Sequence, residues 1–345
     1  MSEQEPLFWV RDVPVYGDAI LSPMAGYSDV PYRALCRAYG SAMHYTEFVP
    51  ADQLLTRRPN RYWQLLDFQA DESPRVFQIF HHDPQVLLAA AQRIEEWGPD
   101  IIDVNMGCST RRVSGRGAGV GLMRTPERIA ETFRLLSTHL SVPVTGKIRL
   151  GWDDQVNYLE VARIMEDNGA ALVAMHGRTK EQKYAGAADW DALARLRDAV
   201  SIPVIGNGDV HTPADIDRLR NRTGVAAVMV GRGAIGNPWI FERRGRDQLA
   251  FPELTATVRL HLREMLAYYG DYGLIKFRKH LDRYLHAIPR VANLLQQMKR
   301  AREPQQLLDL LAEADARCGR RRVSDLQRPL LSPQPQIAPC AIAAD

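Results

Sequence analysis

Eight short apolar, β-branched runs punctuate the first two thirds of the chain: AILSPM (19–24), HYTEFV (44–49), RVFQIF (75–80), DIIDVN (100–105), PVTGKI (143–148), ALVAMH (171–176), IPVIGN (202–207) and AAVMVG (226–231). Between most of them, apolar residues recur with helical period, as in PQVLLAAAQRIEEWG, PERIAETFRLLSTHL and DWDALARLRDAV. Strands alternating with helices predict βαβ units and a parallel sheet. Eight such units before residue 245 predict an α/β fold closed into a (β/α)8 TIM barrel. The second and third runs are the least periodic. SVPVTGKI and SIPVIGNG resemble each other at a separation of 60 residues, as repeated barrel units would. After Phe241 the pattern changes. LTATVRLHLREMLAYYG, IKFRKHLDRYLHAI, RVANLLQQMKRA and PQQLLDLLAEADA are helical throughout and predict a small C-terminal helical bundle. The proline-rich LSPQPQIAPCAIAAD predicts a disordered end. The expected layout is a catalytic barrel over 1–245, a helical module over 246–317 and a disordered tail over 318–345.

Composition narrows the class. With 345 residues, 46% hydrophobic and 25% charged, the chain reads as a soluble globular protein. The opening MSEQEPLFWVRDVP is acidic where a signal peptide is basic, and no stretch approaches the roughly 20 apolar residues of a membrane span. The expectation is a cytoplasmic monomer away from the membrane. Its four cysteines, Cys36, Cys108, Cys318 and Cys340, lack paired metal spacing, so free thiols and no metal are expected. The net charge of +3 hides an asymmetry: residues 254–322 hold 14 Lys+Arg against 7 Asp+Glu, a local +7 that leaves −4 for the rest. Such a split suggests a polyanion-binding module on a near-neutral catalytic body, or else a solvated helical surface.

Barrel enzymes carry their chemistry at the carboxyl ends of the strands. Those ends read Pro23-Met24-Ala25, Gln78, Asn105 with Cys108, Lys147 with Arg149, His176, Asn207-Gly208-Asp209 and Gly231-Arg232. The loops after strands seven and eight form the recurrent phosphate site of such barrels. Here GNGDV and GRGAIGNP supply glycines there, the second leads into an expected helix start, and Arg232 adds a charged fork. Each segment alone reads as a tight glycine turn, but together at strands seven and eight they favour a phosphorylated cofactor. Lys147 stands in an otherwise apolar strand, where a charge is costly unless paired. An anionic reduced cofactor, a Schiff base or an ion pair with Asp103 would each explain it. His176 could donate to a cofactor carbonyl or be a satisfied polar group. Cys108 lies three residues beyond Asn105, in a loop with Arg111, Arg112, Arg116 and five glycines between residues 103 and 123. A packed structural thiol belongs inside the strand, so this position suggests chemistry.

These segments resemble the tRNA-dihydrouridine synthases, flavin enzymes that reduce uridine in RNA. LSPMAGYSDVPYRALCRAYG is similar to the family's opening strand and helix, DVNMGCSTRRVSGRGAGVGLM to its cysteine loop, TGKIRLGW to its lysine strand and MHGRT to its histidine strand. IPVIGNGDV and VMVGRGAIGNPWIF are similar to its phosphate segments, and IKFRKHLDRYL to the basic helix of its C-terminal domain. The likeness runs from about residue 17 to residue 300, in order. It implies FMN at the barrel mouth, with NADPH as electron donor and tRNA as substrate. Pro23, Met24 and Ala25 would line the isoalloxazine, with Gln78 on its polar edge. Lys147 and His176 would meet the N1/C2 region of the ring. Asn207, Gly208, Asp209, Gly231 and Arg232 would hold the phosphate. Asn105 and Arg178 would contact the uracil, while Arg111, Arg112 and Arg116, and Arg278 and Lys279 in the helical module, would face RNA.

The resemblance also gives Cys108 a task. Reducing the C5–C6 bond of uracil takes a hydride at C6, from flavin N5, and a proton at C5. A thiol with an ordinary pKa near 8.5 is mostly protonated at pH 7 and can donate that proton. Family members usually carry proline after the cysteine, and this chain has Ser109-Thr110. Two rival readings share the residues: a flavin barrel of the dihydroorotate dehydrogenase type acting on a free pyrimidine, and an RNA-binding relative without catalysis. The first gives no role to the basic helices. The intact Cys108, Lys147 and His176 argue against the second.

Overall fold

In the computed structural model, residues 5–57, 60–153 and 155–327 are described. The chain divides into two compact units, Met1–Gly245 and Arg246–Asp345. In the first, the strands are β1 (Phe8–Val10), β2 (Val13–Val15), β3 (Ala19–Leu21), β4 (His44–Tyr45), β5 (Val49–Pro50) and β6 (Arg75–Phe80). They continue with β7 (Ile101–Asn105), β8 (Val144–Arg149), β9 (Leu172–His176), β10 (Val204–Asn207) and β11 (Ala227–Val230). Parallel pairing runs β4-β3-β11-β10-β9-β8-β7-β6, and a further β4–β6 pairing closes the ring. This is an eight-stranded TIM barrel, with each of the eight expected runs contributing one strand.

The second run behaves differently from its neighbours. Only His44–Tyr45 joins the barrel, and Val49–Pro50 forms β5 against the end of β6. The break falls at Thr46, whose hydroxyl accepts the Gln78 N–H at 3.1 Å. A side-chain acceptor replaces the ladder there, so the strand ends early.

The repeated SVPV and SIPV segments have a common physical cause. Glu95, at the end of the helix Pro84–Glu95, accepts the backbone N–H groups of Ser141 and Val142 through one oxygen. Glu166, in the helix Tyr158–Asp167, accepts those of Ser201 and Ile202 in the same way. Each carboxylate satisfies donors at a strand entrance where no neighbouring strand can reach.

Strand alternation sorts the barrel interior into layers. The lower layer is apolar, with Ile20, Tyr45, Val76, Ile101, Leu172, Ala174, Ile205, Ala227 and Met229 packed together. The β1–β2 hairpin, absent from the sequence expectation, closes this end by inserting Val10 and Val15 into the same cluster. On four of the strands the next inward residue up is polar: Gln78 after Val76, Asp103 after Ile101, His176 after Ala174 and Asn207 after Ile205. The apolar floor therefore supports a polar upper storey.

The second unit is helical throughout, with the helices Phe251–Tyr269, Tyr272–Leu285, Ala292–Met298 and Pro304–Cys318. Order continues past the expected boundary at 317. Cys318 is buried, and a further helix, Val323–Gln327, buries Val323 and Leu326. Its entry is tied down by Phe251 N–H to Arg321 O and Val323 N–H to Leu249 O, both at 2.9 Å. The proline-rich signal begins only after these residues. Cys340 and the rest of that stretch lie outside the described residues.

The hairpin plug gives a stability prediction. Val10→Ala and Val15→Ala each remove two buried methyl groups, so urea denaturation will show losses of about 1–3 kcal/mol apiece. Leu7→Ala, beside them but 43% exposed, will stay within about 0.5 kcal/mol of the parent.

Candidate active site

Cross-strand register gathers the expected residues at the upper end of the barrel. Asn105 on β7 stands opposite Lys147 on β8. Arg149, two residues further along the same face, stands opposite His176 on β9, and His176 opposite Asn207 on β10. Above them lies a cavity of about 350 Å³. Pro23, Met24, Ala25, Asn105, Cys108, Lys147, His176, Asn207, Gly208, Asp209, Gly231 and Arg232 all line it. Twelve residues expected from the sequence thus share one wall. Gly208 permits this geometry: its φ is +134°, and a Cβ there would come within 2.6 Å of Ala188.

The cavity is positively charged, and its cations have neutral partners. Lys147 Nζ donates to Asn207 Oδ1 at 3.3 Å and faces no carboxylate in ion-pair range. Arg149 donates to the carbonyls of Gly107, Thr179 and Lys183. Arg232 lies 4.2 Å over the ring of Tyr184. None of the three has an acidic partner among the described residues. Burial first, then Arg149, pulls the Lys147 ammonium from its usual 10.5 down to about 8, against the pull of Asp103. The ion pair with Asp103 is not formed; Asp103 is held by Thr145 and Gln78 instead. Burial, reinforced by Arg149, Lys147, Arg178 and Arg232, drives His176 down to about 2, so its ring is neutral at any physiological pH. Arg178 can only donate, so its 3.4 Å contact makes His176 Nε2 the acceptor and leaves the proton on Nδ1. Neutral hydrogen-bonding groups among unmatched cations make a seat for an anion.

The cysteine loop is fixed from below. Asn105 Oδ1 accepts the N–H of Cys108 at 2.9 Å and of Gly107 at 3.2 Å. Gly119 takes φ +56°, and a Cβ there would lie 2.7 Å from Cys108 O, so the glycine allows the loop to fold back on itself. Cys108 is half-buried, with Sγ 3.3 Å from Thr110 Oγ1. Thr110 and Ser109 line the cavity too.

Other expected residues lie elsewhere. Gln78, expected at the edge of a bound ring, is fully buried a layer below, its amide engaged by Asp103 and Asn105. Arg178, expected against the substrate, is 2% exposed and turned away from the cavity. It bonds both oxygens of Asp209 at 2.7 Å and the carbonyls of Ala185 and Gly186. Burial alone would raise Asp209, but the Ala188 N–H and Arg178 hold its carboxyl below the usual range. The helix start expected after β11 is instead a pair of short 3₁₀ turns, Arg232–Ala234 and Pro238–Glu242. Arg111, Arg112 and Arg116 are exposed on the short helix Arg111–Ser114 and just after it. In the helical unit, Arg278 is half-buried and donates to Ala301 O at 2.9 Å, a contact inside the bundle, and Lys279 is half-buried as well. Sequence reasoning named Arg149 among the strand ends without giving it a role, and left Tyr184 out of the site. Arg149 carried a signal, since it shares the inward face of β8 with Lys147; Tyr184 sits in an irregular loop that has no period.

Among the described residues no group of three His, Cys, Asp or Glu side chains is placed to hold a metal, and no helix is long and apolar enough to cross a membrane.

Lys147 makes the cavity's electrostatic strain measurable. Its lowered pKa means the folded chain binds that proton less tightly than the unfolded chain. The destabilisation is complete below pH 8 and disappears above 10.5. In the ligand-free protein, Lys147→Met will therefore raise stability at pH 7, by up to about 3 kcal/mol. Denaturation curves at increasing pH will show that gain shrinking between pH 8 and 10.

Residues 20–318 match the dihydrouridine synthase (Dus) family. The tRNA-dihydrouridine synthase B of Pseudomonas aeruginosa is 38% identical over 310 residues, covering 87% of this chain and 90% of its own. A probable tRNA-dihydrouridine synthase of Rhodobacter capsulatus is 36% identical over 305 residues, covering 86% and 94%. Among solved structures, a 2-naphthoyl-CoA reductase superposes with a TM-score of 0.55 at 11% identity, over 70% of this chain and 52% of its own, a likeness of fold alone. With the cysteine loop, the lysine strand and the glycine segments meeting at one cavity, the chain belongs to the dihydrouridine synthase family.

Proposed function

We propose that this protein reduces a uridine of tRNA to 5,6-dihydrouridine in the cytoplasm, with FMN as resident cofactor and NADPH as electron donor. The observation that carries the reading is the cluster of Lys147, Arg149 and Arg232 around one cavity without an acidic partner. Such a site fits a flavin that carries a phosphate and gains negative charge on reduction. Pro23, Met24 and Ala25 would line its ring system, and Lys147 with the Nδ1–H of His176 would face the N1/C2 region. The main chain of Asn207, Gly208 and Asp209, with Gly231 and Arg232, would hold the phosphate. The Asp209 carboxylate is turned toward Arg178 and so does not oppose an anion there.

When bound and reduced, FMN supplies the hydride that saturates uracil C6. The chain supplies the rest. Cys108 holds a proton at Sγ beside the cavity and delivers it to uracil C5, completing the addition across the double bond. Asn105 keeps the cysteine loop in place and lines the same cavity. Arg111, Arg112 and Arg116, exposed beside Cys108, suit RNA phosphates around a base withdrawn from its stack. The local charge of +7 over residues 254–322 suits the body of the tRNA.

The cofactor assignment is tested by content. Denatured protein will release FMN and not FAD. Arg232→Ala will weaken flavin retention by about 1.5–3 kcal/mol, a change of roughly 10- to 150-fold in Kd. Release of FAD, or failure to bind flavin on reconstitution, would overturn the phosphate site.

The role of Cys108 separates the two half-reactions. Bleaching of the flavin by NADPH requires no proton at uracil C5, so Cys108→Ala will bleach at the parent rate. Reoxidation by tRNA will slow by about 10²–10⁴-fold. Cys36→Ala is the control: Cys36 is fully buried in the helix Val30–Ala38, and burial pushes its thiol far above the usual range. Stopped-flow traces showing both steps slowed equally in Cys108→Ala would reassign the residue to the flavin site.

A further inference from the structure

Below the cavity, the barrel interior holds a carboxylate that the proposed chemistry does not use. Asp103 lies on β7 and is fully buried. One oxygen accepts from Thr145 Oγ1 at 2.6 Å and the other from Gln78 Nε2 at 2.7 Å. Gln78 Oε1 accepts from Asn105 Nδ2 at 2.9 Å. Asn105 Oδ1 in turn accepts the N–H groups of Gly107 and Cys108. Four side chains on three adjacent strands thus form one hydrogen-bonded line ending on the backbone of Cys108.

The sense of every link follows from that end. Backbone N–H groups only donate, so the Asn105 atom facing them is its oxygen. The Asn105 nitrogen is then left facing Gln78 and needs an acceptor, which turns the Gln78 oxygen toward it. The Gln78 nitrogen consequently points at position 103, in an interior where an unmet donor is strongly disfavoured. An acceptor at 103 is therefore required for both amides to keep the orientation that grips the loop. Cross-strand register places it correctly, since Asp103 stands opposite Gln78 on β6 and Thr145 on β8.

We infer that Asp103 is a positioning residue for Cys108, acting through Gln78 and Asn105 to hold the cysteine loop where its thiol can reach the substrate. The inference rests on the reading of Cys108 as proton donor. What the line requires of residue 103 is an acceptor, not a charge. Asparagine meets that requirement, because its oxygen can face Gln78 while its nitrogen donates to the Thr145 hydroxyl oxygen. Leucine does not.

The test compares Asp103→Leu with Asp103→Asn in the full-length, flavin-loaded protein, using two readouts. Amide hydrogen exchange across residues 103–110 reports the grip on Gly107 and Cys108 without reference to turnover. Stopped-flow reports flavin reduction by NADPH and reoxidation by tRNA. In Asp103→Leu, exchange at residues 107 and 108 will accelerate and reoxidation will slow by about 10–100-fold, while reduction by NADPH stays at the parent rate. Asp103→Asn will stay within about twofold of the parent in both readouts, the scale of a preserved hydrogen bond. Parent-like exchange in Asp103→Leu would overturn the inference. So would an Asp103→Asn protein as impaired as Asp103→Leu, which would assign the effect to charge. Should Asp103→Leu fail to fold, Gln78→Met cuts the same line at its next link, and parent-like exchange there would be equally decisive against it. Cys108→Ala measured alongside separates the two readings: parent-rate reoxidation in that variant removes Cys108 as the acid, while the exchange data still judge Asp103.

Discussion

Lys147 and Arg149 stand two residues apart on one face of a buried strand, and neither meets a carboxylate. A chain can hold such an arrangement only if other interactions exceed its cost, which is why so much of the upper barrel consists of fixed neutral acceptors. The carbonyls of Gly107, Thr179 and Lys183 and the amide of Asn207 disperse the charge without cancelling it. A carboxylate in their place would stabilise the empty protein and oppose the ligand. Asp209, the acidic side chain on the cavity wall, is paired with Arg178 and so takes little from the field. The site is tuned toward an anion before one arrives.

Strand alternation makes that tuning compatible with folding. On β6, β7, β9 and β10 the lower inward position is apolar and the next one polar, so a single period-2 pattern builds both the core and the site. The storeys are only two residues apart, about 7 Å along a strand. Hydrophobic packing below therefore sets the positions of the charged groups above, and a shift of one residue in register would turn both sets out of the barrel interior.

Much of this was legible in the sequence, for identifiable reasons. Eight apolar runs at regular spacing give the barrel because parallel strands are buried on both faces. Lys147, His176 and Asn207 are visible as polar residues closing such runs, and the two glycine segments mark where backbone must approach a ligand. Less was legible where side chains compete for partners. Nothing in the string shows that Arg178 would be drawn to Asp209, 31 positions away, or that Gln78 would be held by Asp103 and Asn105 below the cavity rather than facing it. The split of the second strand depends on one hydroxyl, that of Thr46. The β1–β2 hairpin was silent because three-residue strands, one containing Pro14, give no periodic signal. At the other end, Val323 and Leu326 were hidden by the proline-rich stretch that follows them.

The hairpin also orders events in time. Val10 and Val15 share one core cluster with Ala227 and Met229, and β3 pairs directly with β11. During synthesis the β1–β2 hairpin leaves the ribosome long before the last of its partners, on β11, exist. At translation speeds of about 5–20 residues per second, the interval to residue 229 is roughly 10–40 s. Through that interval the surface that Phe8, Val10 and Val15 bury against is incomplete, because Ala227 and Met229 are missing from it. The plug that finishes the barrel floor is made well before β11 and is among the last segments to be seated, which leaves this hairpin in need of protection while the ring remains open.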